Sequence, residues 1–372
     1  MDLIIDGLIF QAQPYGGISR LYNEILPRMC GMHRFLSITL LISGHARQSL
    51  PFHSQISYLS VPQIERYLRL IWVCEKLKVK SLVQQLMVRG LEGKIWHSTY
   101  YTMPLWWKGP KVVTVYDMIH ERLPNYFSKK GINFRKQKRR CVEAADAIIT
   151  ISQTTKEDLQ TFYNINKNRI YVTPLACSDT FMRSSGVESS INIMTQKPFL
   201  LYVGMRTHYK NTDLLIKAYS QWYHKREIDL VIVGRPWTYD QINELLTLDI
   251  RNRVHILGYV DDNILMRLYR KAVAFVFPSL YEGFGIPLLE AMACGCPIVA
   301  SKIPSTLEVA GDCPIYFEPT NLEEMLNAFN TTLSEGRNSE RVAKGLEKVK
   351  NYSWDKTAEK TLKVYYALSN SA

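Results

Sequence analysis

The sequence predicts an α/β protein of two Rossmann-like, doubly wound domains. Three observations carry this. Short β-rich runs alternate with helical patterns along the chain, which implies buried parallel sheets. A Ser-rich, aperiodic stretch, "SDTFMRSSGVESSINIMTQKP", separates two halves that each repeat the alternation. The length, 372 residues, is enough for two separate cores.

In the first half the predicted strands are "LIIDGLIF", "FLSITLLIS", "ISYLSV", "KIWHST", "KVVTVYD", "AIITIS" and "IYVTPL". In the second they are "FLLYVG", "DLVIVG", "RVHILGYV", "AVAFVFPS", "PIVAS" and "PIYFEP". Helical patterns fill most gaps, among them "TDLLIKAYSQWYHKR" and "DDNILMRLYRKA". The chain closes on an amphipathic pattern, "SWDKTAEKTLKVYYAL". The domains are therefore expected at 1–178 with 353–372 and at 198–352, with a linker at 179–197. Such folds bind ligands outside the carboxyl ends of their strands, here in a cleft between the two sheets.

Composition narrows the function. Apolar residues make up 47% and charged residues 22%, the balance of a soluble globular protein. No apolar run is long enough to cross a membrane, and "MDLIIDGLIF" reads as a first strand rather than a signal peptide. The seven cysteines are odd in number, scattered and without a C-x-x-C pair, so a disulfide framework or zinc site is not expected and a reducing cytoplasm fits. There is no G-x-G-x-x-G after a strand and no G-x-x-x-x-G-K-[ST], which removes the main support for a nicotinamide dehydrogenase or a P-loop ATPase.

Charge is uneven. The whole excess of +12 falls within residues 1–178, and the remainder is balanced. Its densest part is "SKKGINFRKQKRR". Such a run can be a solvated helix face, or it can meet anionic lipid or nucleic acid. A nucleic-acid-binding protein is the alternative from another class, but no aromatic stacking motif or reading helix accompanies the charge.

The chemistry concentrates in "YEGFGIPLLEAMACGCP". Pro287 suits a first helical turn, and Gly295 with Pro297 ends that helix. A glycine loop thus delivers a helix N-terminus toward the ligand side, where free amides and the helix dipole favour a diphosphate. Gly283 and Gly285 let ligand oxygens come close to the backbone. Glu282 in the loop and Glu290 one turn inside stand at different depths, suited to gripping a sugar and a ribose. "LLYVGMRTHYKN" adds Gly204 at a strand end, then Arg206 and Lys210, cations suited to phosphate. "RVHILGYVDD" offers backbone at Gly258, Tyr259 and Val260, and with Leu265 an apolar wall for a nucleobase.

Together these pieces resemble the retaining family 4 glycosyltransferases of the GT-B fold. "YVGMRTHYKN", "VIVG", "HILGYV", "FPSLYEGFGIPLLEAMACGCPIVAS" and "PSTLEVAGDCPIYFEP" follow the family order through the second half. "YGGISRLYNEI", "VVTVYD" and "ISQTTKEDL" match more loosely in the first, and "YSWDKTAEKTLKVYY" is similar to the family's terminal helix, which returns to the first domain. The family's E-x7-E motif falls on Glu282 and Glu290. The resemblance implies that Arg206 and Lys210 hold the donor diphosphate, and that Glu282 with the amides of Gly283, Phe284, Gly285 and Ile286 holds the sugar. Glu290 would hold the ribose, Gly204, Gly234, Tyr259, Val260 and Leu265 would line the donor site, and Gly16 and Gly17 would close over donor or acceptor. Where the family often has a His-Asp pair, this sequence reads Tyr116-Asp117, with His97 and His120 nearby; Asp117 and His120 join Glu282 as candidate catalytic residues.

The expectation is a retaining hexosyltransferase working in polysaccharide biosynthesis with a UDP-glucose-like donor and a saccharide or lipid-linked acceptor. The enzyme alternative is a GT-B-type sugar-nucleotide epimerase. With no Asp-x-Asp in the chain, neither a metal nor any other cofactor is expected. Nucleic acid is not an expected partner. The expected location is the cytoplasm, with the run from Lys129 to Arg140 offering a peripheral contact on an anionic membrane surface through its cations, Ile132 and Phe134.

Overall fold

The computed structural model describes residues 1–12, 16–43, 46, 49–61, 91, 93–104, 106–183 and 197–369. The chain forms two compact units, Met1–Leu175 with Trp354–Ala372, and Ala176–Ser353.

The first unit is built on β1 (Asp2–Asp6), β2 (Ser37–Ser43), β3 (Ile56–Val61), β4 (Ile95–Ser98), β5 (Lys111–Val115), β6 (Ala147–Thr150) and β7 (Ile170–Val172). They form one parallel sheet in the order β3-β2-β1-β4-β5-β6-β7. Helices α1 (Gly17–Met32), α2 (Lys129–Ala144) and α3 (Gln153–Tyr163) belong to this unit. The apolar run that predicts one long first strand in fact splits. β1 stops at Asp6, and Ile9–Ala12 is a helical turn. At Gly7 the chain passes so close to β2 that a Cβ would lie 2.4 Å from the Leu41 carbonyl oxygen. The sequence stays apolar through Leu8, Ile9 and Phe10, so hydropathy alone could not mark the break.

The second unit carries β8 (Phe199–Val203), β9 (Asp229–Val233), β10 (Val254–Leu257), β11 (Ala274–Phe277), β12 (Ile298–Ser301) and β13 (Ile315–Phe317). These too are parallel, in the order β10-β9-β8-β11-β12-β13. Its helices are α4 (Thr212–Gln221), α5 (Tyr239–Thr247), α6 (Asp262–Lys271), α7 (Ile286–Ala293), α8 (Pro304–Ala310), α9 (Leu322–Glu335) and α10 (Glu340–Val349). Their apolar faces enclose a core that includes Trp222, Tyr219, Leu230, Val276 and Phe329. The chain joins this unit at Ala176, before the start of the expected linker. Asp179–Met182 is a helical turn whose Phe181 is fully buried and meets the Tyr269 ring edge-on, 6.1 Å between centroids. A single aromatic anchor in a serine-rich stretch has no periodicity to announce it. The rest of the expected linker, 184–196, lies outside the described residues.

The last helix, α11 (Trp354–Ser369), returns to the first unit and packs on α1. Its Tyr365 hydroxyl lies 2.6 Å from His97 Nδ1 on β4, while His97 Nε2 lies 2.8 Å from Thr114 Oγ1 on β5. Tyr22 of α1 and Tyr116 extend this buried network, their hydroxyls 2.9 Å apart. His97 is therefore a core histidine with both ring nitrogens occupied. Burial lowers its pKa to about 3.

Both sheets share one plan. In each, the strand order reverses between the first strand of the unit and the fourth, the point where doubly wound folds bind their ligands.

Candidate active site

In the second unit the reversal falls between β8 and β11. The loops that leave these strands touch: the Leu280 N–H donates to the Tyr209 carbonyl at 2.8 Å. On the other side of β8, two glycines let the chain ends of β8 and β9 come together. Gly204 has φ +155° and Gly234 φ +151°, and a Cβ on Gly234 would sit 2.2 Å from the Gly204 carbonyl oxygen. No side chain fits between these two strand ends.

Lys210 and Glu282 meet here. Lys210 Nζ donates to Glu282 Oε1 at 2.6 Å, and Ser279 Oγ donates to the same oxygen at 2.7 Å. Burial by itself would lower the Lys210 pKa, but the Glu282 carboxylate, with Tyr209 and Tyr202, outweighs it and holds the ammonium above the ordinary lysine value. The charge is further flanked by the Tyr209 ring at 5.5 Å and the Phe277 ring at 6.0 Å.

Arg206 does not join this pair. Its guanidinium lies 4.7 Å from the Trp237 ring centroid. Nε and Nη2 donate to Asp213 Oδ1 at 2.9 and 2.6 Å, and Nη2 also reaches Glu244. Nη1 is buried with no hydrogen-bond partner. The two cations expected to act as one clamp thus sit on different carboxylates. The nearby Asp213 and Glu244 explain why: each offers Arg206 a charge-assisted bond.

Helix α7 begins beside Glu282. Gly285 sits in the N-cap position with φ +117°, a conformation open mainly to glycine, and Pro287 occupies the first turn. Phe284 is buried and meets the Tyr352 ring edge-on at 5.8 Å, so its side chain anchors the loop and only its backbone is offered to a ligand. Glu290, deeper in the helix and only 4% exposed, accepts a hydrogen bond from the Tyr269 hydroxyl at 3.0 Å. Burial, and then the Glu290 carboxylate, push the Tyr269 phenol well above its ordinary pKa. The two glutamates do lie at different depths. Beyond β10, Tyr259 is half exposed, Val260 partly so, and Leu265 is buried.

The remaining predicted residues belong to the first unit. Gly16 and Gly17 are exposed at the start of α1. The φ of Gly16 is 168°, extended backbone that asks nothing special of the residue. Asp117 follows β5, where its Oδ1 accepts the Ile119 N–H at 3.1 Å. His120 stacks between Phe127 and Phe134, at 4.1 and 4.8 Å between centroids. Its Nδ1 is buried without a hydrogen-bond partner. Burial, and then the Lys138 charge, lower its pKa below the ordinary histidine value.

Lys138 corrects the reading of the basic run. It is fully buried, and its Nζ donates to Glu121 Oε2 at 2.7 Å and to the Asp117 carbonyl at 3.1 Å. Glu121 also accepts the Tyr163 hydroxyl at 2.5 Å. Phe134, expected at a membrane, lies instead among Tyr100, Tyr101 and His120. Among the described side chains of this segment the exposed cations are Lys136, Arg139 and Arg140, with Ile132 half exposed beside them. Helical spacing explains the split: 131, 134, 138 and 141 fall on one face.

Sequence reasoning missed Ser279, whose only signal is its place at a strand end just before Glu282. It also missed Asp6, buried at the end of β1, where it accepts bonds from the Thr99 amide and hydroxyl and from the Thr102 hydroxyl. Burial raises the Asp6 pKa.

Two units of this parallel-sheet plan, the second with a charged loop ahead of a glycine-led helix, are the parts of a glycosyltransferase of the GT-B class, and the relatives of the chain bear this out. Residues 17–178 match the model of Glycosyltransferase Family 4, and residues 188–349 that of Glycosyl transferases group 1. O-antigen chain mannosyltransferase B of Escherichia coli is 30% identical over 267 residues, 69% of this chain and 70% of that protein. O-antigen chain mannosyltransferase RfbU of Salmonella typhimurium is 26% identical over 271 residues, 73% and 72% of the two chains. Among solved structures, sucrose-phosphate synthase from Thermosynechococcus elongatus superposes with a TM-score of 0.77 at 17% identity, covering 100% of both chains. Anabaena Alr3699/HepE, in complex with UDP and glucose, gives 0.74 at 16%, covering 99% and 100%; identities this low speak for the fold alone. The chain belongs to glycosyltransferase family 4.

Proposed function

We propose that this enzyme is a retaining hexosyltransferase that moves mannose from a nucleoside diphosphate sugar to a saccharide or lipid-linked saccharide acceptor during polysaccharide assembly. The observation that carries the donor half is the Lys210–Glu282–Ser279 cluster at the start of α7, at the strand-order reversal of the second sheet. The mannosyltransferase relatives support mannose and surface-polysaccharide assembly. They favour it over the glucose that the sequence led us to expect.

In this reading the bond between the anomeric carbon and the diphosphate oxygen breaks, and negative charge collects on the departing nucleotide. Lys210 and the amides from Gly283 to Ile286 face that charge. Glu282, relieved of part of its pairing with Lys210 by the phosphate, accepts the sugar hydroxyls. Glu290 accepts those of the ribose. The acceptor hydroxyl attacks from the face the nucleotide leaves, which preserves configuration, and its proton passes to the departing phosphate oxygen. Asp117 and His120 serve the acceptor side. Cations and amides already meet the leaving charge, so no divalent ion is required. The outward cations of α2 offer a contact with an anionic membrane surface.

The test is transfer from GDP-mannose, UDP-glucose and UDP-galactose to a lipid-free mannoside, each with and without EDTA. Transfer from GDP-mannose that survives EDTA is expected. Donor consumption without acceptor and with change of the sugar's configuration would point to the epimerase. Activity restored only by magnesium or manganese would overturn metal independence. Glu282→Gln should abolish most transfer while leaving nucleoside diphosphate binding nearly intact, whereas Glu290→Ala should weaken both.

A further inference from the structure

We infer that the ring cluster at the C-terminal edge of the first sheet, Tyr100, His120, Phe127 and Phe134, is the platform on which one sugar ring of the acceptor stacks, with the Asp117 carboxylate taking its hydroxyls. This rests on the glycosyltransferase reading and adds the acceptor's mode of recognition to it. The rings come from separate elements: Tyr100 follows β4, His120 and Phe127 follow β5, and Phe134 stands on α2. They converge nonetheless. Phe134 lies 5.5 Å from Tyr100 and 4.8 Å from His120, and His120 lies 4.1 Å from Phe127. All four side chains are only partly buried.

Two backbone features exist to hold this arrangement. A Cβ on Gly131 would lie 2.5 Å from Phe127 Cβ and 3.4 Å from His120 Cδ2, so only glycine lets α2 settle on the pair. Tyr101 takes φ +59°, a costly conformation for an aromatic residue, and Gln137 of α2 holds its carbonyl at 2.8 Å. Such strain needs a reason, and turning Tyr100 toward Phe134 supplies one.

The chemistry fits a sugar better than a lipid. A pyranose presents a C–H face to the electron-rich face of an aromatic ring, and hydroxyls at its rim to a carboxylate. Asp117 is close enough for its charge to act on both His120 and Tyr101. The same carboxylate would repel an anionic headgroup. Lys138 pins the Asp117 carbonyl from α2, so one helix positions both rings and carboxylate.

The probe is a soluble α-linked mannobioside carrying no lipid, its binding to the full chain followed by saturation-transfer NMR. Tyr100→Ala and Phe134→Leu should each weaken binding about tenfold or more, and Phe134→Tyr, which keeps a ring, should restore it. Nucleoside diphosphate affinity, measured in the same samples, should stay unchanged in all three. Equal mannobioside binding in Phe134→Leu and the unmodified protein overturns the platform, as does absence of binding to the unmodified protein. Loss of nucleoside diphosphate binding by the unmodified protein would instead sink the donor reading beneath it.

Discussion

Lys210 and Arg206 share one loop yet answer to different carboxylates. A phosphate arriving at α7 finds Lys210 already beside the helix, whereas Arg206 must first give up Asp213 and Glu244. We predict that Lys210→Ala weakens nucleoside diphosphate binding by about 1.5–3 kcal/mol, the scale of a charged hydrogen bond, and Arg206→Ala by clearly less. Calorimetric titration decides, and equal losses would show that Arg206 swings onto the phosphate. Position 97 makes a second residue-scale prediction. The buried histidine's folded pKa, about 3, lies below its ordinary 6.5. Between these values the unfolded chain binds the proton and the folded one does not, so stability falls as pH drops through this window, by about 1.4 kcal/mol per pH unit. Buried Asp6, with its raised pKa, acts in the opposite sense from pH 3.8 upward. Denaturant unfolding from pH 7 to 5 should therefore show a steeper loss than in His97→Gln, where only the smaller contribution of His120, also lowered by burial, remains on the histidine side. An equal slope in the two proteins would refute it.

Helix α2 shows how far sequence reading goes at the level of an element. Helical spacing is legible in "KKGINFRKQKRRCVEA", but the identity of the buried face is not, because its members include a lysine. Only the partner, Glu121 on a distant turn, makes Lys138 an inward residue. The strand sequences were read far better, since a parallel strand is apolar on both faces and needs no knowledge of its neighbours. The E-x7-E stretch was legible for a related reason: its glycines and proline encode the loop and helix start locally. Ser279 and the Arg206 pairings depend on contacts across the fold and could not be read. From the buried pair we predict that Lys138→Ala costs about 3–5 kcal/mol, because it strands the Glu121 charge. Lys136→Gln with Arg140→Gln should leave the unfolding midpoint almost unmoved. Each outward cation should add on the order of 1 kcal/mol to adhesion on anionic liposomes, lost at high salt. Sedimentation with liposomes at two salt concentrations checks this. If the unmodified protein stays in the supernatant at low salt, the surface contact fails.

At the scale of the molecule, the chain leaves the first unit at Leu175 and comes back to it at Trp354. The second unit is a continuous segment, but the first is not. Ending the chain at Ser353 would remove Trp354, Thr357 and Tyr365, all buried, and leave His97 Nδ1 without its partner hydroxyl. We predict that a 1–353 truncation loses cooperative unfolding of the first unit, while 176–353 alone keeps a single sharp transition. Differential scanning calorimetry of both fragments checks this, and an intact first transition in 1–353 would refute it.

The return of α11 also sets an order of events during synthesis. A ribosome delivers residues 1–175 long before it delivers Tyr365, so the earlier half of the nascent chain must wait, its α1 surface bare, until α11 has emerged. The segment that follows, needing nothing from either end, can fold as it emerges. A nascent chain stalled with α11 still inside the ribosome should therefore resist protease across residues 176–353 while its N-terminal half is still cut.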